Sequence, residues 1–241
     1  MNASVPPAGQ APDKGPVVAA MFDRIAPRYD RLNRVLSFGI DVAWRRQAVR
    51  VALSAAPARV LDVATGTADL ALMLKRARPS AEVVGVDFSD AMLAVGRAKV
   101  ARLGVTLPLL HGDALALPFE DGSFDAVTVA YGLRNFADVE RGLAEMRRVL
   151  RSGGRLVVLE FPPPPANLAG RALRWYGRSV MPVIGGWISG DRSAYAYLPA
   201  STEAFLAPDA LAAAMGAVGF TQVRHQLQSF GVSALHEGVA S

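Results

Sequence analysis

Between Arg59 and Phe161, apolar runs rich in β-formers alternate with stretches of helical periodicity, and that alternation leaves few folds open to the chain. The spacing predicts strands at Arg59–Val63, Glu82–Asp87, Leu107–His111, Phe124–Ala130 and Arg155–Phe161. Helices are predicted at Asp69–Lys75, from a Ser89 cap to about Leu103, and at Asp138–Leu150, the last closed by Gly153-Gly154. Such a succession of strand–helix units implies an α/β fold, a doubly wound, mostly parallel, Rossmann-like sheet. A further helix is predicted over Pro208–Val218, ended by Gly219. Phe220–Gln228 and Val232–Glu237 then read as two strands joined near Gly231, which add an antiparallel hairpin and bring the sheet to seven strands.

Around that pattern, 241 residues with 51% apolar side chains suffice for one good core, so residues 17–241 are expected to form a single domain. Residues 1–16, rich in Ala, Pro and Gly, are expected to be a disordered tail with no signal-peptide character. Residues 17–56 read as amino-terminal helices. The four prolines Pro162–Pro165 cannot continue a central strand, so they open an insertion at 162–200 that carries Trp175, Tyr176, Trp187, Tyr195 and Tyr197. This lid-like insertion could cover a substrate, touch a membrane or form a dimer interface. Its longest uncharged run, Ser179–Gly190, is 12 residues and broken by Pro182, Gly185 and Gly186, short of the ~20 that span a bilayer. The net charge of +5 is uneven: residues 17–50 and 161–200 together hold +7, leaving −2 elsewhere. Contact with something anionic, such as nucleic acid or lipid headgroups at the inner face of the cell membrane, would be made there. With no cysteine, disulfides and thiolate chemistry are excluded and a cytoplasmic setting is expected; the three histidines have no metal-ligand spacing, so no metal is expected.

The first strand ends in Asp62-Val-Ala-Thr-Gly66-Thr67-Ala68-Asp69, a glycine turn that lets a ligand approach the backbone and the following helix terminus. Asp62 precedes the turn where a dinucleotide fingerprint would open with glycines, and an acid suits a sulfonium or ammonium better than a pyrophosphate. Asp87, ending the second strand, is placed to accept from a ribose diol, and Asp113 with the Ala114 amide, after the third, to clamp an adenine. Three acids at successive strand ends, with no phosphate-binding Lys or Arg among them, favour S-adenosylmethionine over a nicotinamide cofactor. A second glycine is usual where Ala68 stands. Ala is expected to cost little there, as the first turn of a helix. Cytosine C5 methylation would need a cysteine, and the Asn/Asp-Pro-Pro-aromatic motif of amine methylation is absent after the fourth strand. Ala130-Tyr131-Gly132-Leu133-Arg134-Asn135-Phe136 stands there instead.

Stretches along nearly the whole chain resemble the ubiquinone/menaquinone biosynthesis C-methyltransferases, the UbiE/MenG group. They include Met21–Asp30, Leu36–Ile40 with Trp44-Arg-Arg46, Gly132-Leu-Arg-Asn135, Leu159-Glu-Phe161, Tyr195–Leu198 and Phe230–His236. The resemblance implies a class I S-adenosylmethionine-dependent methyltransferase acting on a ring carbon of a polyprenylated quinol. Demethylmenaquinol is favoured and 2-methoxy-6-polyprenyl-1,4-benzoquinol is the alternative. It implies cofactor contacts at Thr67, Asp87, Asp113 and Ala114, beside Asp62 and Gly66 from the turn itself. Asp41 departs from a common His in such proteins. Arg134 is the candidate for stabilising phenolate charge, with Asn135 or Tyr131 orienting the ring. His236, Asp30 and Tyr29 are candidate bases by resemblance alone. A homodimer is possible, and no nucleic-acid partner is expected. A catalytically silent S-adenosylmethionine-binding scaffold would keep the same pocket.

Overall fold

The structure, a computed structural model, describes residues 14–189 and 192–241, with the side chains of residues 14 and 186–196 left out. The expected tail, up to residue 13, therefore lies outside the described residues, as do the side chains of Trp187 and Tyr195. Helix α1 (Lys14–Ile25) already includes the last residues of that expected tail. It is followed by α2 (Tyr29–Leu36) and α3 (Asp41–Ala52). The strand–helix region then runs β1 (Arg59–Val63), α4 (Asp69–Ala77), β2 (Glu82–Asp87), α5 (Asp90–Leu103), β3 (Leu109–His111), β4 (Phe124–Ala130), α6 (Val139–Val149) and β5 (Leu150–Glu160). The insertion folds as α7 (Leu168–Trp175), a π turn at Tyr176–Val180, α8 (Met181–Ser189) and α9 (Arg192–Glu203). Last come α10 (Pro208–Ala217), β6 (Phe220–Gln228) and β7 (Ser233–Ala240).

The seven strands lie in the order β3-β2-β1-β4-β5-β7-β6, with only β7 antiparallel to its neighbours. Chain direction of travel reverses between β1 and β4, the switch point at which ligands of doubly wound sheets bind. Strand residues alternate between the two faces. Val60, Val83, Ala126 and Val157 pack against Trp44, Ala48, Leu70 and Leu93 on one side. Leu61, Val84, Val127 and Val158 pack against Leu143, Met146, Leu211 and Met215 on the other. Each such fully buried side chain contributes about 2 kcal/mol of transfer free energy. A smaller cluster of Val18, Met21, Ile25, Leu32 and Leu36 with Met92 and Tyr197 holds the amino-terminal helices and the insertion over the carboxyl edge.

The expected Ser89 cap is realised, its Oγ accepting from Met92 N at 3.1 Å; Asp138, expected as a helical residue, caps its helix instead, its Oδ1 accepting from Arg141 N at 2.9 Å. Gly153-Gly154 does not close α6, however. The helix ends at Val149 and β5 starts at once, with the glycines inside a register shift against β4. A glycine pair after a helix has the same signature whether it caps or bulges.

On β7, His236 is 1% exposed, and its Nε2 lies 3.0 Å from the Pro208 carbonyl at the start of α10, so that nitrogen carries the proton. Burial pushes its pKa down to about 4, with the Pro208 bond opposing, His225 adding to the fall and Asp209 opposing it. A neutral folded imidazole loses stability as pH falls below the unfolded value near 6.5, and the loss ends near the folded value. Relative to His236→Gln, the native chain should lose about 2 kcal/mol more unfolding free energy between pH 7.5 and 5.0. Urea unfolding at both values checks this; parallel pH dependence in the two proteins would refute it.

Candidate active site

Four loops at the carboxyl ends of β1, β2, β3 and β4 build the site. In the first, Ala64, Gly66 and Ala68 all have positive φ, at 51°, 56° and 65°. Ala68 is thus a left-handed residue before α4, not the helical residue expected, so its methyl carries backbone strain that glycine would not. The Gly66 amide donates to Asp87 Oδ2 at 2.7 Å, and Ser89 N donates to Asp87 Oδ1 at 2.8 Å. One carboxylate therefore pins the turns after β1 and β2 to each other. Burial raises the Asp87 pKa, and these backbone donors oppose it.

Asp62 lies behind the turn, 1% exposed, accepting from Thr65 Oγ1 at 2.7 Å and Thr128 Oγ1 at 2.6 Å. Burial pushes its pKa up to about 6 against those two hydrogen bonds. Thr67 also turns away from the ligand side: its hydroxyl donates to Asp30 Oδ1 at 2.5 Å. Lys99 Nζ then bridges Asp30 at 2.8 Å and Asp69 at 2.5 Å. Gly66, Asp87, Asp113, Ala114 and Asn135 line a cavity of about 210 Å³, and Asp62 and Thr67 are not in its wall. No Lys, Arg or His lines that cavity among the described residues, so it offers a nucleoside edge with acids and no counter-charge for a pyrophosphate. The donor set fits S-adenosylmethionine. Asp87 would take the ribose, Asp113 and the Ala114 amide the adenine, and the Gly66 turn the methionine end.

A second, larger cavity of about 360 Å³ adjoins the first, and Phe22, Tyr29 and Tyr131 belong to both walls. Its lining is mostly apolar, with Met21, Ile25, Leu36, Trp44 and Phe161, yet Arg45 and Arg134 both reach it. Arg134, 4% exposed, sits on a short turn at Leu133–Asn135, with Nη1 at 2.6 Å from Glu160 Oε1 and 2.6 Å from the Tyr131 carbonyl. Tyr131, φ 59°, stacks on Phe161 with ring centroids 4.3 Å apart. Asn135 faces the cofactor cavity and accepts from Tyr197 Oη at 3.0 Å. Of the candidate bases, Tyr29 lines both cavities, and burial raises its pKa, so it keeps its proton. Asp30 is committed to Thr67 and Lys99, and His236 lines neither cavity. Sequence reasoning passed over Glu160 and Arg45. The signal for Glu160 was an acid closing an otherwise apolar strand, Leu156–Leu159, where a buried charge demands a partner.

Sheet order, switch point and cofactor pocket define a class I S-adenosylmethionine-dependent methyltransferase, with S-adenosylmethionine as methyl donor. A solved methyltransferase from Thermotoga maritima, described as a possible histamine N-methyltransferase, matches the fold with a TM-score of 0.67 at 22% identity, covering 92% of this chain and 99% of that one. The chain belongs to the ubiE/COQ5 methyltransferase family, whose model matches residues 10–240. It is 60% identical to a demethylmenaquinone methyltransferase of Thermus thermophilus over 90% of this chain and 99% of that protein. It is 52% identical to a demethylmenaquinone methyltransferase of Deinococcus radiodurans over 97% and 96%.

The loop bearing Arg134 is packed tightly on the first turn. A Cβ on Gly132 would stand 2.5 Å from the Ala64 Cβ, a backbone-anchored atom that cannot swing away. Gly132→Ala should destabilise the fold by about 1–3 kcal/mol. Denaturant midpoints test this, and a native-like midpoint would show that the loops are not in contact.

Proposed function

We propose that this protein transfers a methyl group to a ring carbon of demethylmenaquinol, the reduced polyprenylated substrate, giving menaquinol. The carrying observation is the apolar cavity with two buried guanidiniums that shares the Tyr29 and Tyr131 wall with the cofactor pocket. The names of the relatives from Thermus and Deinococcus support the naphthoquinol ring. When bound, S-adenosylmethionine supplies an electrophilic sulfonium methyl. The chain's own residues do the rest. Trp44, Phe161 and the aliphatic wall exclude water from the ring, and Tyr131 fixes the boundary between the two ligands. Arg134, with Asn135 beside it, presents positive potential toward the ring; its Glu160 bond sets the direction in which the guanidinium points.

Phe38, in the cavity wall, is 79% exposed, and Trp175 and Phe230, each next in sequence to wall residues, are 65% and 94% exposed. Arg171 is exposed on the same helix as Trp175. This rim suits contact with an anionic bilayer from which a long isoprenoid substrate is drawn. No helix among the described residues is long and apolar enough to cross a membrane. In sedimentation with anionic vesicles, the combined Phe38→Ser, Trp175→Ser, Phe230→Ser variant should bind at least about tenfold more weakly than the native chain. Equal sedimentation would remove the membrane contact from the reading.

The test of function is mass spectrometry after incubation with S-adenosylmethionine and each reduced quinone. Demethylmenaquinol should gain 14 mass units faster than the methoxy-polyprenyl benzoquinol, about the mass of one methylene added per transfer. Asp87→Asn should weaken S-adenosylmethionine binding by about tenfold or more, since a charge-assisted hydrogen bond contributes ~1.5–3 kcal/mol. Unmodified quinols would leave only a binding scaffold.

A further inference from the structure

The larger cavity contains a cation that the Arg134 assignment does not use. Arg45, on α3, is 6% exposed, and its guanidinium lies 5.3 Å from the centroid of the Tyr131 ring, the wall between the two ligands. We propose that Arg45 is the residue that holds the negative charge of the ionised ring hydroxyl, with Asp41 and Arg34 positioning it. This rests on the aromatic-alcohol substrate class proposed above.

Arg134 has a carboxylate of its own: Glu160, 1% exposed, bonds its Nη1 at 2.6 Å and its backbone amide at 3.2 Å, and among the described residues no other cation shares that acid. Arg45 has no such dedicated partner. Its Nη1 donates to Asp41 Oδ2, but Asp41 also accepts from Arg34 Nη1 at 2.7 and 2.8 Å and from Ser37 Oγ at 2.8 Å. Asp69 and Asp62 also act on Arg45; Asp69 is bonded to Lys99 at 2.5 Å, and Asp62 accepts from Thr65 and Thr128. None of the three acids serves Arg45 alone: Asp41 and Asp69 are shared with another cation, and Asp62 is bonded to two threonines. No second hydrogen bond from the Arg45 guanidinium is made among the described residues, and Arg45 lines the cavity. A guanidinium with unused donors in the wall of an apolar space is what a localised oxyanion requires. The proton lost from the ring hydroxyl goes to solvent, because Arg45 stays protonated: neighbouring Tyr131, Asp69 and Asp41 outweigh the effect of its burial.

The experiment uses 1-naphthol, a fused-ring alcohol whose absorbance reports ionisation, bound to the full chain saturated with S-adenosylhomocysteine. In the native protein, naphthol should ionise at least about tenfold more readily than when free, the effect of one guanidinium within ~4–6 Å. Arg45→Gln should abolish that gain while leaving S-adenosylhomocysteine affinity intact, and Arg45→Lys should restore part of it. Asp41→Asn gives a readout of opposite sign: removing the shared counter-ion should make bound naphthol ionise still more readily, which a purely structural role for Asp41 would not produce. The inference is overturned if naphthol fails to bind or ionises as when free, if Arg45→Gln keeps the native behaviour, or if Asp41→Asn reduces ionisation. Methyl transfer to demethylmenaquinol with no Arg45 effect on naphthol would sink this role alone. The naphthol effect without any quinol methylation would sink the substrate and leave the anion subsite standing.

Discussion

Much of the carboxyl edge hangs on the bond between Arg134 and Glu160. Both side chains are almost wholly buried, so neither charge can be left without the other; breaking such a pair from one side costs about 3–5 kcal/mol. The pair ties the turn after β4 to the last residue of β5. The same guanidinium nitrogen holds the Tyr131 carbonyl, which keeps Tyr131 in its left-handed conformation with its ring on Phe161. Tyr131 in turn closes one wall of each cavity. An interaction of this kind adds little net stability over a well-packed apolar pair, and its weight lies in allowing only one arrangement of the loop. That is what two ligands meeting end to end require, because a shift of 1 Å or so at the wall would be felt at the reacting atoms.

The amino-terminal helices are attached by a different kind of contact. Ser89 Oγ donates to Asp23 at 2.5 Å, Thr67 to Asp30 at 2.5 Å, and Lys99 reaches Asp30 from α5. Hydroxyl–carboxylate bonds of this sort are strong when dry and easily exchanged for water. Each runs from an amino-terminal helix to a residue beside a cofactor loop. These exchangeable bonds add to the buried cluster of Val18, Met21, Ile25, Leu32 and Leu36 with Met92, which holds the same helices over the carboxyl edge.

How far this was legible in the sequence depended on the range of the interaction involved. Strand and helix identities came through because alternation and caps are local, and the errors fell at boundaries: β5 begins at Leu150 and not Arg155, since a glycine pair can cap or bulge. Asp87, Asp113, Ala114 and Gly66 were found because strand ends project to one edge of a doubly wound sheet, and the structure brings them to one cavity. The helical conformation expected of Ala68 was wrong because backbone dihedrals at a turn are set by the neighbouring loop, which a propensity scale does not see. The pairings Arg134–Glu160 and Arg45–Asp41–Arg34 were hidden for another reason: partner choice among buried charges depends on packing of segments remote in sequence or on which helix faces meet. Only the mismatch of an acid inside an apolar strand hinted at the first.

The three acids at the strand ends look equivalent in sequence and differ in what surrounds them. Asp113 uses one oxygen on the Leu115 amide at its own turn. Asp87 accepts from two backbone amides and still faces the cavity, so it both shapes the turns and remains available to a ligand. Asp62 is spent entirely on Thr65 and Thr128. Its burial is expensive, as the upward pKa shows, and an apolar residue would pack there at lower cost. What an apolar residue lacks is acceptors. A carboxylate that takes both threonine hydroxyls fixes the direction of each, joins the β1 turn to β4 across the switch point, and places Thr65 so that its side chain lies against Gly85 of β2. The acid nearest the glycine turn thus acts on the cofactor site through the backbone it orders, while Asp87 and Asp113 are the acids that line the cavity.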